Sequence, residues 1–140
     1  MEKCIQTTVQ ESEKLAKRLA RVIKGGEIFA LIGPLGAGKT TFTQHLAKAL
    51  GVKSKITSPT FVLMQTYAGK NFKDSKPLFI HHLDLYRLAG AKEVVESGLT
   101  EYWGNPDSVT LIEWADKAVD LLPKHTTTIN FFHYEVSQNI

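Results

Sequence analysis

Apolar positions fall along this chain at two different spacings, and the spacings divide it into short elements. Ile28-Phe29-Ala30-Leu31-Ile32 is an unbroken apolar run of strand length, as a strand buried on both faces requires. Ahead of it, Leu15, Leu19, Val22 and Ile23 recur at helical spacing, with Ala16 and Ala20 beside them. Gly25-Gly26 ends that predicted helix, and Thr8-x-x-Glu11 reads as a capping box at its start. The N-terminal Cys4-Ile5 is a short apolar piece. Phe42, Leu46, Ala49 and Leu50 share one face of a second helix over 41–50, which Gly51 stops. Residues 61–67 alternate, with Phe61, Leu63, Gln65 and Tyr67 on one side and Val62, Met64 and Thr66 on the other. Residues 77–84 read as the neighbouring strand, so 69–76 would close a hairpin. A short helix over 92–97 ends at Gly98, a further turn covers 100–103, and 109–112 is another strand. Residues 126–136 have strand-like composition.

Between the apolar run at 28–32 and the helix at 41–50 lies Gly33-Pro34-Leu35-Gly36-Ala37-Gly38-Lys39-Thr40. This fits the P-loop pattern G-x-x-x-x-G-K-[ST], and strand, glycine-rich turn and helix are the context that pattern needs. Gly33, Gly36 and Gly38 let the backbone approach phosphate oxygens, with Ala37 between them, and the helix start adds partial positive charge. Lys39 is the point charge for the β- and γ-phosphates, and Thr40 offers a hydroxyl to magnesium. Thr41 follows in the first turn of the helix. A P-loop unit demands an α/β core. The expected fold is a P-loop NTPase-like three-layer sandwich with a central mixed, mostly parallel sheet, in one domain over residues 1–140.

A P-loop site also needs a carboxylate at the end of a neighbouring strand and a group that positions the attacking water. Asp84 ends the strand at 77–84, and Glu113 follows the strand at 109–112. Both therefore sit at the carboxyl edge of the sheet, where α/β proteins bind ligands. His82 shares a strand face with Asp84 and reads as an orienting hydrogen-bond partner. His81 points the other way, so the two histidines do not make a shared metal site. Ser58-Pro59-Thr60 supplies hydroxyls suited to a switch-like contact, or a plain proline turn. Trp114 is a candidate shield for the site.

Composition narrows the class. Hydrophobic residues at 43% and charged residues at 22% describe a soluble globular chain, without a membrane-spanning run or a secretory signal after Met1. One cysteine, Cys4, suits a reducing cytoplasm, which is the expected location. The net charge of +3 comes from dispersed lysines. Lys70, Lys73 and Lys76 read as a solvated loop before they read as a nucleic-acid patch. No N-K-x-D motif or D-x-x-G segment follows the P-loop, which argues against a GTPase, and no L-S-G-G-Q-type segment marks a transporter ATPase. Arg18, Arg21 and Arg87 do not form the arginine-rich lid of a small-molecule kinase.

From Gly25 to about Pro123 the chain resembles the TsaE (YjeE) family, small bacterial ATPases of tRNA threonylcarbamoyladenosine biosynthesis. The resemblance rests on an ordered series: the P-loop through Thr41-Phe42, then Ser58-Pro59-Thr60-Phe61, His82-x-Asp84-Leu85-Tyr86-Arg87-Leu88, Glu93 with Gly98 and Tyr102, and Glu113-Trp114. It implies slow magnesium-dependent ATP hydrolysis, with ATP and Mg2+ as the cofactors and no other metal. It implies action with the TsaB and TsaD proteins, which modify adenosine 37 of tRNAs reading codons that begin with A. tRNA would be met through that complex, no membrane would be involved, and hydrolysis would allow multiple turnovers. Carried over by residue, Lys39 binds phosphate, Thr40 and Glu113 hold magnesium, and Asp84 acts in hydrolysis. Thr60 with Ser58 makes the switch-like contact, and Thr8 and Ser12 lie near the adenine. The family's C-terminal Gly-Arg pair is missing from 131–140, which leaves a nucleotide-dependent assembly switch as the alternative role, with a small-molecule kinase behind it.

Overall fold

The computed structural model describes residues 3–132. Six strands form one sheet: β1 (Lys3–Thr8), β2 (Ile28–Ile32), β3 (Met64–Lys70), β4 (Pro77–Asp84), β5 (Ser108–Glu113) and β6 (Thr127–Phe132). Their order across the sheet is β1-β6-β2-β5-β4-β3. Every neighbouring pair is parallel except β3 with β4, whose register runs from Met64 opposite Leu83 to Lys70 opposite Pro77. The sheet is thus mixed and mostly parallel, with the antiparallel hairpin as one edge.

Alternation along the strands sends side chains to two cores. Phe29, Leu31, Ile80, Leu111 and Ile129 face α1 (Ser12–Val22) and α2 (Lys39–Ala49). Ile28, Ala30, Leu83 and Ile112 face α3 (Ala91–Glu96) and the 3-10 segments Leu99–Tyr102 and Ala115–Leu121. Burial on both faces explains why β2 and β5 carry apolar runs rather than alternation. β2, the P-loop strand, lies between β6 and β5, and β4 lies on the far side of β5 in register with it, Asp84 opposite Glu113.

Four expectations are corrected. Helix α1 starts at Ser12, and no side chain caps it. Thr8 ends β1 instead: its carbonyl accepts the Glu11 N–H, and its hydroxyl donates to the Glu11 carboxylate at 3.1 Å. Val22 is 60% exposed, and Ala16, Ala20 and Ile23 bury in its place. The third strand starts at Met64, not Phe61, because the Val62 and Leu63 N–H groups both bond the Pro59 carbonyl and close a turn. The 3-10 segment at Ala115–Leu121 has no counterpart among the expected elements.

Candidate functional site

The P-loop occupies the turn from β2 into α2. Gly38 precedes the helix at φ 102°, in the left-handed region where a Cβ is strained, and a Cβ there would also meet Val9 at 3.1 Å. Gly33 passes so close to β6 that a Cβ would lie 2.6 Å from the Phe131 carbonyl oxygen. Ala37 is buried and closes the loop by donating its N–H to the Pro34 carbonyl. The first amides of α2, from Lys39 onward, have no partner within the helix.

A cavity of about 450 Å³ opens over this turn. Gly36, Gly38, Lys39, Thr40 and Thr41 line it from the loop and helix. Ser58 and Thr60 close one side, and Asp84 and Glu113 reach it from the strand ends. Gly33 and Ala37 support the loop from behind the lining. The sheet therefore brings together side chains separated by more than seventy positions in the chain: Thr40 donates to Glu113 Oε2 at 2.9 Å.

Glu113 is held from a second direction. His82 Nε2 lies 2.5 Å from the same Glu113 oxygen, on a side chain with no solvent exposure. A carboxylate accepts, so Nε2 is the nitrogen that carries the proton. His82 Nδ1 has no partner among the described residues. His81 sits on the opposite sheet face, hydrogen-bonded to Thr66 at 2.8 Å and edge-on to Tyr102. Burial pushes its pKa down, with Asp107 acting weakly against that.

Asp84 gathers the other group of hydroxyls. Ser58 and Thr60 donate to its Oδ2 at 3.1 and 3.0 Å, and the Tyr86 N–H donates to its Oδ1 at 2.9 Å. Ser58-Pro59-Thr60 is a proline turn, and its hydroxyls are also tied to the site. Arg87 lies outside the lining, with its guanidinium over the Phe61 ring at 5.3 Å.

Lys39 is the cation of the cavity. Its ammonium donates to the Gly33 and Pro34 carbonyls and lies 4.1 Å from the centre of the Trp114 ring. Burial lowers its pKa, and Glu113, Asp116 and Asp84 oppose that shift. Trp114 thus packs on the lysine and lines the cavity from a left-handed backbone, φ 59°.

Sequence reasoning missed other wall residues. Tyr86 packs against Trp114 with the rings tilted by 52° and their centres 5.1 Å apart, and Val9 and Leu35 complete the mouth. Tyr86 was visible in the His-x-Asp-x-Tyr-Arg series without a role, and nothing local marked Val9. Thr8 and Ser12 do not line the cavity. Their hydroxyls bond Glu11 and the Val9 carbonyl. The expectation drawn from the missing C-terminal arginine falls mostly on residues 133–140, outside the described residues.

Fold and site together define an α/β protein of the P-loop class. The family model for the threonylcarbamoyl adenosine biosynthesis protein TsaE matches residues 6–140, and the chain belongs to that family. It is 34% identical over 129 residues to the tRNA threonylcarbamoyladenosine biosynthesis protein TsaE of Treponema pallidum, covering 91% of this chain and 89% of that one. It is 39% identical to the Haemophilus influenzae protein of the same name, covering 79% of this chain and 65% of that one. For the Bacillus subtilis TsaE protein the identity is 36%, with 86% and 70% covered. The crystal structure of YdiB from Bacillus subtilis superposes with a TM-score of 0.61 at 33% identity, covering 84% of this chain and 66% of YdiB. The chain therefore spans about two thirds of the length of YdiB and of the Haemophilus relative.

Proposed function

We propose that this chain is a magnesium-dependent ATP hydrolase, slow when alone, that serves threonylcarbamoyl modification of adenosine 37 in tRNAs reading codons that begin with A. It acts with the TsaB and TsaD proteins and lets them turn over repeatedly. The observation that carries this reading is the convergence on one cavity of a P-loop, a Thr40–Glu113 pair and an Asp84 already hydrogen-bonded to two hydroxyls.

The donors suit magnesium. Thr40 Oγ1 and Glu113 Oε2 are hard oxygens 2.9 Å apart, matching an ion that takes few protein ligands beside phosphates and water. When bound, magnesium neutralises charge building between the β- and γ-phosphates. Lys39 exchanges the Gly33 and Pro34 carbonyls for phosphate oxygens. His82 fixes the Glu113 carboxylate, so the ligand is oriented before the nucleotide arrives. Asp84 orients the attacking water and accepts its proton, while Ser58 and Thr60 hold the carboxylate in place.

The deciding variant is Asp84→Asn. It should bind ATP about as tightly as the parent and hydrolyse it roughly 100-fold more slowly or less. With TsaB and TsaD it should fail to sustain modification beyond the first turnovers. Unchanged hydrolysis would remove Asp84 from the chemistry, and sustained modification without hydrolysis would favour the assembly switch.

A further inference from the structure

The pole of the molecule opposite the nucleotide cavity gathers cations that are far apart in the chain. Lys48, Lys53 and Lys55 line a cleft of about 490 Å³ beside α2, whose floor is the buried Val52 and Ile56. The cleft is shaped by the Gln44 side-chain amide, which donates to the Ile56 carbonyl at 3.0 Å. The cleft adjoins the β3–β4 hairpin: the Lys70 N–H donates to the Leu50 carbonyl, and the Lys70 side chain runs beside Gly51. The hairpin in turn meets the end of α1. Asn71 donates to the carbonyls of Ile23 and Lys24, and the Arg21 guanidinium lies 5.7 Å from the centre of the Phe72 ring. Lys73 and Lys76 complete the tip, fully on the surface.

These charges are only partly offset locally. Among the described residues, the one ion pair joining a lysine to a carboxylate is Lys17 with Glu13, and Glu13 also feels the charge of Lys48. Three carboxylates lie here, fewer than the seven cations named above. Glu27 accepts from the Lys24 and Gly25 amides, and Asp74 accepts from the Lys76 amide; Asp107 faces His81. Lys48 has a local reason for its place, since a cation is favoured at the negative end of α2. Lys53 and Lys55 have none.

The structure assigns this pole to RNA: it is a surface for the phosphate backbone of tRNA, with Phe72 as a stacking platform for an unpaired base. Lysines without carboxylate partners, spread along a cleft and a hairpin, suit a line of phosphates. Phe72, 53% exposed beneath an arginine, offers the flat apolar face that unstacked bases use. A protein partner would call for an apolar centre. The exposed apolar side chains Leu35, Phe61 and Tyr86 belong to the nucleotide end of the molecule, while Val22, Phe72 and Phe79 are scattered among cations here. The inference rests on the family's place in tRNA modification, but not on ATP hydrolysis. It goes further than contact through a complex, since the chain itself would touch the nucleic acid.

The test is fluorescence anisotropy of a labelled, unmodified tRNA transcript titrated with the full chain across a salt series. Binding should weaken steeply with salt. Lys53→Ala with Lys55→Ala should lower affinity by about tenfold and reduce the log–log salt slope by roughly 1.5 to 2. Phe72→Ala should weaken binding several-fold with the slope unchanged. The control pair, Lys14→Ala with Lys92→Ala, removes the same charge from other surfaces and should stay within about twofold. Magnesium–ATP binding, measured in parallel, should equal the parent's in all three variants, so a failure of the nucleotide reading is seen separately. Absence of tRNA binding at about 50 mM salt would overturn the inference, as would a control pair that loses as much as the cleft pair. Displacement of tRNA by polyglutamate at equal charge would point to an acidic protein instead and overturn it equally.

Discussion

Lys39 shows what a buried cation costs a fold. Its ammonium is nearly enclosed, and desolvation outweighs the three carboxylates that favour its charge. The folded chain therefore holds that proton less firmly than the unfolded chain does. Between the lowered pKa and the ordinary value of 10.5, the unfolded state binds more protons, so stability rises with pH through that window. Below the window the full penalty for burying the charge applies. Lys39→Met should thus raise the melting temperature at neutral pH by about 2–4 °C while abolishing nucleotide binding. The difference should shrink as pH climbs toward 10.5. A lower melting temperature for the methionine variant would mean that the Gly33, Pro34 and Trp114 contacts outweigh desolvation. The type of residue needed at this position was legible in the octapeptide. Its storage on loop carbonyls and an indole was not, because Trp114 arrives from another strand.

At the scale of elements, the β3–β4 hairpin is the most instructive. Alternation placed a strand at 61–67, but Phe61 is 83% exposed and Leu63 takes φ 70°, so the first residues turn instead. Strand-forming side chains lost there to two amides bonding one carbonyl and to the Asp84 carboxylate, which holds Ser58 and Thr60 just upstream. Local pattern cannot register a bond to a residue 24 positions away. Further along the hairpin, β3 crosses the end of α2 at Gly69. A Cβ there would lie 2.6 Å from Ile80 Cδ1 and 2.7 Å from the Leu50 carbonyl oxygen. Ile80 can turn aside, but a helix-end carbonyl cannot. Gly69→Ala should cost about 1–3 kcal/mol, or roughly 3–10 °C in melting temperature, with nucleotide affinity unchanged. A melting temperature equal to the parent's would show that the hairpin can lift off α2 freely. Helix α1 carries a parallel lesson: Thr8 and Glu11 do interact, yet as the end of a strand rather than the start of a helix.

For the whole molecule, the P-loop cavity ties β2, α2, β4, β5 and the 58–60 segment together, so a ligand there should stabilise all of them at once. ATP with magnesium at about 100 times its dissociation constant should add about 2.7 kcal/mol and raise the melting temperature by roughly 5–10 °C. In Glu113→Ala magnesium should add less to that rise than it does in the parent; an unaltered magnesium dependence would take Glu113 out of the metal site. Much at this scale was present in the chain before any folding was considered. The octapeptide dictated a strand, a turn and a helix, because its chemistry needs amides and a cation at a helix start. Apolar runs at 28–32 and 109–112 dictated strands buried on both faces, and carboxylates directly after strands had to stand at the ligand edge. Those are local consequences of spacing. The order of strands, the shared hold of Thr40 and His82 on one Glu113 oxygen, the indole over Lys39, and the joining of dispersed lysines into one cationic pole are not local. Each depends on which strand lies beside which, and that is settled by how two apolar faces of one sheet are covered, not by any segment alone.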